Sequence, residues 1–275
     1  MSQRHRDEVA AGGRFRFGEN WERFIEDIDE MRLQKAEGSL RDMLGVADLR
    51  GLRFLDIGSG SGLFSLAARR LGASVYSFDF DPVSVACTRV LREKYFAGDS
   101  EWYIEKGSVL DDAYMAELGT FDIVYSWGVL HHSGDMAHAL DNAAKAVSTC
   151  GKLFIALYND QGLISHYWTF VKKAYNRNPL LRVLIIVVHT PYLYCLRWLV
   201  RKVSGRSSVE RGMALWRDMI DWLGGYPFEV STPAQIFKLH RDRGFVLRAL
   251  VTCGGRTGCN EYVFERAKSE WPSYG

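Results

Sequence analysis

The chain has 275 residues, of which 47% are hydrophobic and 25% charged, and its 35 Lys and Arg residues nearly balance its 33 Asp and Glu residues. Such values are typical of a globular protein with one large or two small domains, and they exclude a disordered or fibrous chain. A net charge of +2 argues against a dedicated nucleic-acid binder, which usually carries a strongly basic face. We therefore expect no nucleic-acid partner.

Five cysteines, an odd number without the spacing of a disulfide framework, indicate a reducing compartment. The N-terminus reads MSQRHRDEVAAGG and lacks the apolar run of a secretory signal. We therefore expect a cytoplasmic protein. Cys253 and Cys259 are too far from other ligand-type residues to predict a zinc site, and no metal ion is expected.

Apolar residues recur at helical spacing from Glu19 to Ala36, which predicts an amphipathic helix, and a short helix follows near Ser39 to Leu44. Short apolar strands then alternate with helices. The predicted strands are Arg53–Ile57, Ser74–Phe78, Trp102–Glu105, Phe121–Tyr125 and Lys152–Leu157, and the helices between them are Leu63–Leu71, Val83–Tyr95 and Met136–Val147. Such alternation is typical of an α/β fold with a parallel sheet.

The alternation stops after the fifth strand, because residues 160–231 hold only helical patterns. It resumes with a helix at Thr232–Arg243, whose first residues suit a helix N-terminus, and with closing strands at Phe245–Thr252 and Glu261–Glu265. The predicted parts are an N-terminal helical cap of residues 1–45, a sheet domain of residues 46–159 and 232–267, and a helical insertion of residues 160–231.

A glycine-rich turn, DIGSGSG at residues 56–62, joins the first strand to a helix. Glycines allow the backbone to turn sharply and to approach a ligand closely, and the helix N-terminus offers free N–H groups. A dinucleotide-binding turn would read G-x-G-x-x-G, but Leu63 stands at the third glycine position. Asp56 would also repel a pyrophosphate, so the turn favours a ligand with a cationic head.

A second acidic residue, Asp79, follows at the end of the second strand. A carboxylate at this position can accept hydrogen bonds from both ribose hydroxyl groups. Asp81 and Pro82 then start the next helix, so we interpret Asp81 as an N-cap. The glycine turn, the acidic residue and the strand spacing together predict a nucleoside-containing cofactor.

The segments LDIGSGSG, SFDFDP, FDIVYSWGVLHH and GKLFIAL resemble successive motifs of the class I S-adenosylmethionine-dependent methyltransferases. The nearest subgroup is the small-molecule type, which includes quinone, sugar and lipid methylases. The resemblance covers about residues 40–158 and the two closing strands. It implies a doubly wound, Rossmann-like sheet of seven strands with an antiparallel last strand, and S-adenosylmethionine over the carboxyl ends of the first strands.

The resemblance also implies roles for single residues. The glycines of the turn would line the methionine moiety, Asp79 would bind the ribose, Phe80 would pack on the adenine, and Ser126 with Trp127 would flank the sulfonium. Ser108 stands where many relatives have an aspartate for the adenine amino group, and Asp111 lies close enough to substitute. The residues expected at the cofactor are Asp56, Gly58, Ser59, Gly60, Gly62, Asp79, Phe80, Ser108, Val109, Ser126 and Trp127.

Methylation of a hydroxyl group requires loss of its proton, so a base is expected near the methyl group. His131 and His132 follow the fourth strand, at the edge where α/β sites form. In similar sugar methyltransferases one histidine of such a pair is the base, and an aspartate after the fifth strand orients it. Here Leu157 stands at that position. We predict His132 as the catalytic base, with His131 as the other candidate. Alternatively, both are architectural and catalysis rests on positioning.

The helical insertion occupies the place that commonly forms a lid over the acceptor in this fold class. Arg182, Arg197, Arg201 and Lys202 border its apolar half, residues 179–203. Three interpretations are open. The segment packs as a hairpin on its own domain or on a homodimer partner, it lines an apolar pocket for a lipid or prenylated acceptor, or it lies in a membrane interface and makes the protein peripheral to the membrane.

The sequence therefore predicts an S-adenosylmethionine-dependent methyltransferase that acts on a small organic acceptor. The expected methyl acceptor is a hydroxyl oxygen of a sugar, quinol or lipid-linked molecule. One alternative is a nicotinamide-dependent oxidoreductase or epimerase, which Leu63 and the lack of a Tyr-x-x-x-Lys pair disfavour. Another is a membrane-associated module that binds a cofactor without turnover.

Overall fold

The computed structural model describes residues 3–18, 21, 28–196, 198, 215–254 and 258–268. Within these residues the strands are β1 (Arg53–Ile57), β2 (Ser74–Asp79), β3 (Trp102–Lys106), β4 (Phe121–Trp127), β5 (Val147–Tyr158), β6 (Phe245–Val251) and β7 (Cys259–Arg266). They form one seven-stranded sheet in the order β3-β2-β1-β4-β5-β7-β6. β7 is antiparallel to both of its neighbours, and the remaining pairs are parallel. The predicted sheet with its antiparallel last strand is confirmed.

Helices cover both faces of this sheet. The described helices are α1 (Gln3–Ala10), α2 (Glu30–Leu44), α3 (Leu63–Arg70), α4 (Pro82–Tyr95), α5 (Asp112–Leu118), α6 (Met136–Lys145), α7 (Leu163–Arg177), α8 (Pro179–Thr190), α9 (Leu215–Gly224) and α10 (Pro233–Arg241). Helices α2, α3 and α4 share a buried core with one face of the sheet, and α5, α6 and α10 share a second core with the other. Because side chains alternate along a strand, Phe54 faces the first core and Leu55 the second.

The strand order places a crevice at the carboxyl ends of β1 and β4. The chain winds from β1 outward to β2 and β3, and then crosses back to β4 on the other side of β1. The connections that follow β1 and β4 therefore diverge. In open α/β sheets this divergence leaves a cleft that binds ligands.

Two helices begin where the local sequence predicts. Asp81 Oδ1 accepts a hydrogen bond from Val83 N (2.9 Å) and caps α4, whose first residue is Pro82. Thr232 and Gln235 form a capping box at the start of α10. In both cases a polar side chain satisfies N–H groups that the first helical turn leaves free.

The N-terminal helix differs from the prediction. Part of Glu19–Ala36 lies outside the described residues, and Ile28 and Asp29 are not helical. Asp29 Oδ1 accepts a hydrogen bond from Arg32 N (2.8 Å) and starts α2, which continues through the short helix predicted near Ser39 to Leu44. Apolar spacing runs across Asp29, but the capping carboxylate begins a new helix there.

The insertion leaves and re-enters the sheet domain at one point. Its described residues form α7, α8, a π-helical turn at Pro191–Leu196, and α9. Asn159 and Ser231 form an isolated parallel bridge at the end of β5. The insertion has its own apolar cluster, which contains Trp168, Val171, Tyr175, Leu193, Met219, Leu223 and Phe228. Residues 197 and 199–203 of the predicted apolar half lie outside the described residues.

Candidate active site

The glycine-rich turn after β1 has a conformation that favours glycine. Gly58, Gly60 and Gly62 have φ angles of 78°, 55° and 83°, all in the left-handed region. Gly58 N and Ser59 N donate to the carbonyl oxygen of Phe78 at 2.8 and 3.1 Å. A Cβ atom on Gly58 would lie 2.4 Å from Val129 Cγ1. The turn is therefore closely packed between β2 and the segment after β4.

Asp79 lies beside this turn at the end of β2. Its Oδ2 accepts a hydrogen bond from Gly60 N (2.9 Å), and its Oδ1 accepts one from Asp81 N (2.8 Å). Burial raises the pKa of Asp79 to about 6, although these two N–H groups act in the opposite direction. Each carboxylate oxygen retains a second lone pair that can accept a ribose hydroxyl. The carboxylate thus suits the ribose-binding role predicted for it.

Asp56 is buried beneath the turn. Its carboxylate accepts a hydrogen bond from the Ser65 hydroxyl, which in turn lies 2.7 Å from the Ser77 hydroxyl. Trp102 Nε1 donates to Ser77 Oγ at 3.0 Å. Burial raises the pKa of Asp56 to about 7. In the structure Asp56 links β1 to α3 and supports the turn, and its contact with a cofactor stays a prediction.

Four further residues predicted at the cofactor pack below the turn or against the two cores. Ser126 is fully buried and its Oγ donates to Ile57 O (3.0 Å), so it joins β4 to β1 below the turn. Val109 packs in the second core. Trp127 packs against the first core, and Ser59 Oγ lies 2.9 Å from Thr88 Oγ1 of α4. These positions support the shape of the cleft.

Two residues predicted at the adenine lie after β3. Ser108 is half-buried and its Oγ accepts a hydrogen bond from Leu110 N (3.3 Å). Asp111, the suggested substitute for the missing aspartate, instead caps α5 by accepting from Tyr114 N (3.1 Å). An acidic residue just before a helix is better explained as an N-cap.

Phe80 is in contact with the N-terminal segment. The guanidinium carbon of Arg14 lies 4.8 Å from the centre of the Phe80 ring, and the His5 ring lies 5.6 Å from it. Lys106 Nζ is 5.9 Å from the same ring. Phe80 is therefore surrounded by cationic and aromatic groups at the end of β2, and its contact with the adenine stays a prediction.

Residues 11–18, here called the N-terminal strap, cross the carboxyl edge of the sheet. Arg14 donates to the carbonyl oxygens of His132 (3.1 Å) and Ser133 (3.3 Å), and Phe15 N donates to Tyr226 O (2.9 Å). Gly18 N donates to Asp81 Oδ2 at 3.0 Å. The strap thus connects the cofactor side of the cleft to the end of the insertion. The sequence interpretation missed it, although the alternation RFRF at residues 14–17 is a recognisable signal of an extended segment with one buried face.

His131 and His132 lie in a short 3-10 turn at Leu130–His132 and face different partners. His131 is fully buried, its Nδ1 accepts a hydrogen bond from Tyr158 N (3.3 Å), and its ring lies 3.9 Å from the Tyr158 ring. Burial lowers the pKa of His131 well below its usual value. His131 therefore packs within the fold as an architectural residue.

His132 has the geometry of a base. Its Nδ1 lies 2.5 Å from the carbonyl oxygen of Pro227, an atom that can only accept, so Nδ1 carries the proton and Nε2 has a free lone pair. Burial, together with the nearby cations of Lys172 and Arg14, lowers the pKa of His132 to about 3, although the bond to Pro227 O acts in the opposite direction. The imidazole is consequently neutral at physiological pH. The contact that orients the His132 ring is thus made by Pro227 O and not by a side chain at Leu157.

An aromatic cluster, formed by Tyr158, Trp222 and Phe228, adjoins the histidines. The rings of Tyr158 and Trp222 are 5.4 Å apart, those of Tyr158 and Phe228 are 5.2 Å apart, and Tyr158 is 5.4 Å from the His132 ring. Lys172 is fully buried among them, with Nζ 4.3 Å from the Trp222 ring and 4.7 Å from the Phe228 ring.

Lys172 connects two helices of the insertion beside this aromatic cluster, because it lies on α7 and bonds to α9. Its ammonium group donates to the backbone carbonyl of Trp222. Burial lowers the pKa of Lys172 to about 7, while Asp221 acts in the opposite direction. The sequence interpretation missed Lys172, although a lysine among the inward positions of a helix is a signal of a buried polar contact. Among the described residues, no group of three or more His, Cys, Asp or Glu side chains is placed to hold a metal ion.

Comparison with known proteins identifies the family. Residues 22–185, more than half of the chain, match the family described as "Methyltransferase domain". The chain belongs to the class I S-adenosylmethionine-dependent methyltransferases, as its motifs predict. This family uses S-adenosylmethionine, so the predicted cofactor is confirmed.

Similar sequences include proteins named "Ubiquinone biosynthesis O-methyltransferase". The one from Rhizobium johnstonii is 34% identical over 132 residues, which are 47% of this chain and 50% of that protein. The one from Methylocella silvestris is 34% identical over 125 residues, which are 46% of this chain and 47% of that protein. The chain thus spans about half the length of these relatives.

Solved structures share the fold at low identity. The magnesium protoporphyrin IX methyltransferase from Synechocystis PCC 6803 with bound SAH has a TM-score of 0.55 and 15% identity, and the match covers 90% of this chain and 94% of that chain. An O-methyltransferase family protein from Burkholderia thailandensis has a TM-score of 0.53 and 13% identity, with 86% of this chain and 58% of that chain covered.

Proposed function

We propose that this protein transfers a methyl group from S-adenosylmethionine to a hydroxyl oxygen of a small aromatic or quinol acceptor, with His132 as the base. The observation that carries this proposal is the bond between His132 Nδ1 and Pro227 O (2.5 Å). It fixes the imidazole tautomer and leaves Nε2 able to accept a proton at the cleft.

The cofactor site fits S-adenosylmethionine on the evidence of its own geometry. The left-handed glycines bring the backbone of the turn close to a ligand. The Asp79 carboxylate can accept ribose hydroxyls, and the Phe80 ring can pack on the base. When bound, the cofactor supplies an electrophilic methyl group on a sulfonium. The chain's task is to hold the acceptor oxygen in line with that methyl group.

His132 supplies the proton acceptor. Transfer of the methyl group to the acceptor oxygen would break the carbon–sulfur bond and release a neutral thioether. The O–H proton of the acceptor would pass to Nε2, while Nδ1 keeps its bond to Pro227 O. A neutral imidazole is available at all pH values above about 3, because burial lowers the pKa of His132 to about 3. Positioning and the weak base then act together.

The aromatic cluster supports a flat acceptor. Tyr158 lies 5.4 Å from the His132 ring and packs against Trp222 and Phe228, and rings of this kind can stack on a planar substrate. The relatives named "Ubiquinone biosynthesis O-methyltransferase" support a hydroxyl of a quinol-type ring as the methyl acceptor. We further propose that the insertion covers this acceptor, because it contributes Trp222 and the Pro227 carbonyl that contacts His132.

The test measures transfer of radiolabelled methyl groups from S-adenosylmethionine to catechols and hydroquinones that carry apolar tails of different lengths. We expect label on one hydroxyl group. His132→Gln should lower kcat by roughly 100-fold or more without changing the affinity for S-adenosylmethionine. His138→Gln is the matched control, because His138 lies on α6 and bonds to Asp112.

Two results would contradict parts of the proposal. Intact cofactor binding with transfer to none of the phenols would reject the acceptor class. Equal kcat values for the His132 and His138 variants would reject His132 as the base.

A further inference from the structure

Two neighbouring helices of the insertion expose apolar stripes. On α7 the stripe is Leu163, Ile164, Tyr167 and Phe170, and on α8 it is Leu180, Val183, Leu184, Val187 and Val188. These side chains are 50–87% exposed, and each set recurs at the spacing of one helix face. The surfaces of monomeric soluble proteins rarely expose so many large apolar side chains together.

The two helices form one unit. Tyr167 Oη lies 2.7 Å from His189 Nε2, and the Trp168 and His189 rings are 5.5 Å apart. Ile185 and Ile186 pack inward against the insertion's cluster, so the exposed stripe of α8 is its outward side. The hairpin is therefore packed on its own domain through one face only.

The sequence around these stripes is strongly basic. Residues 161–209 contain eight Lys and Arg residues and no Asp or Glu, whereas the rest of the chain has 27 basic and 33 acidic residues. Lys173, Arg177 and Arg182 are exposed on or next to the two helices. Apolar side chains flanked by basic ones are typical of a helix that lies in a membrane interface.

We propose that the outward face of α7 and α8 docks on an anionic phospholipid bilayer. Its apolar side chains would enter the boundary between headgroups and acyl chains, while Lys173, Arg177 and Arg182 contact the phosphates. A second copy of the chain fits this face less well, because a symmetric dimer would bring two basic segments together. None of the described helices is long and apolar enough to cross a membrane, so the contact is peripheral.

The experiment measures co-sedimentation of the full chain with vesicles of phosphatidylcholine alone or mixed with phosphatidylglycerol. We expect binding to the mixed vesicles and its weakening by added salt. Val183→Asp/Val187→Asp should lower the partition coefficient by more than about tenfold, because two charges would enter the interface. The control is Val90→Asp/Val251→Asp. It changes the charge equally at valines that are 53% and 52% exposed, against 61% and 63% for the test pair.

The proposal fails if the wild-type chain does not bind anionic vesicles, or if the two double variants bind these vesicles equally. It also fails if the Val183/Val187 variant converts a dimer to a monomer in solution without changing vesicle binding, because the face would then join two copies. Calorimetric binding of S-adenosylmethionine by each variant verifies the fold. No acceptor is needed, so the result is independent of the proposed reaction.

Discussion

Gly58 lies in the glycine-rich turn at a position where an added side chain would collide with Val129. Its φ is +78°, and an added Cβ would lie 2.4 Å from Val129 Cγ1. We expect Gly58→Ala to lower the free energy of unfolding by about 1–3 kcal/mol and to weaken S-adenosylmethionine binding at least about tenfold, because the turn or Val129 must move. Urea unfolding and calorimetric titration measure the two effects.

Gly98 provides the matched control for this substitution. Its φ is +69°, but nothing lies within 4 Å of an added Cβ. Gly98→Ala therefore introduces the same backbone strain without a collision, and it should leave cofactor affinity unchanged. Equal losses of affinity in both variants would show that packing against Val129 has no role.

At the scale of elements, Lys172 links α7 to the end of α9 and makes their packing sensitive to pH. Burial lowers its pKa from 10.5 to about 7. The folded state thus binds fewer protons than the unfolded state between these values. The contribution of Lys172 to stability is complete above about pH 10.5 and is lost as pH falls through about 7.

We therefore expect Lys172→Met to gain stability relative to the wild-type chain as pH falls from about 10 to about 7. The gain is at most about 5 kcal/mol. Lys173→Met, which changes the exposed neighbour, should give a difference that does not vary with pH. Urea unfolding across this range tests the prediction, and parallel curves for the two variants would contradict it.

The sequence predicts elements well where one local interaction defines them. Asp81 before Pro82 and Thr232 before Pro233 indicate helix starts, and both are caps in the structure. Asp29 is the same kind of signal, but the apolar spacing on either side of it concealed the break. Local pattern therefore predicts the order of strands and helices better than the ends of a helix.

Contacts between distant parts of the chain could not be predicted in this way. The bond from His132 to Pro227 spans 95 residues, and the bond from Arg14 to His132 spans 118. The pair of histidines predicted a base, but only the folded chain decides which of them faces Pro227. The cofactor turn was easier to predict, because its residues adjoin one another in the sequence.

At the scale of the whole molecule, the N-terminal strap covers the cleft and joins its two sides. Arg14 of the strap and His5 of α1 contact Phe80, and Phe17 of the strap lies 5.0 Å from the His132 ring. Among the residues that the structure describes, both sheet cores are formed from Ile28 onward, with Trp21 at the border of one. Removing the strap should therefore leave the sheet folded.

We expect deletion of residues 1–18, which removes α1 and the strap, to raise the dissociation rate of S-adenosylmethionine by roughly tenfold or more. The reason is that the strap would no longer close over the bound cofactor. Stopped-flow displacement measures the rate, and circular dichroism checks the fold. Arg14→Gln should raise the rate in the same direction but less. Unchanged dissociation from the shortened chain would mean that the strap has no part in retaining the cofactor.

The meeting of the insertion's two ends has a consequence for how the molecule can be altered. Ser231 N donates to Tyr158 O (3.0 Å), and Asp160 N donates to Ser231 O (3.1 Å), so the intervening chain departs and returns across a single hydrogen-bonded junction. A segment fixed in this way can be exchanged without changing the distance that the flanking chain must span. The proposed acceptor selectivity and the proposed membrane-binding face would thus be exchanged together. A chimera with a different insertion would still bind the cofactor but would differ in both of these properties.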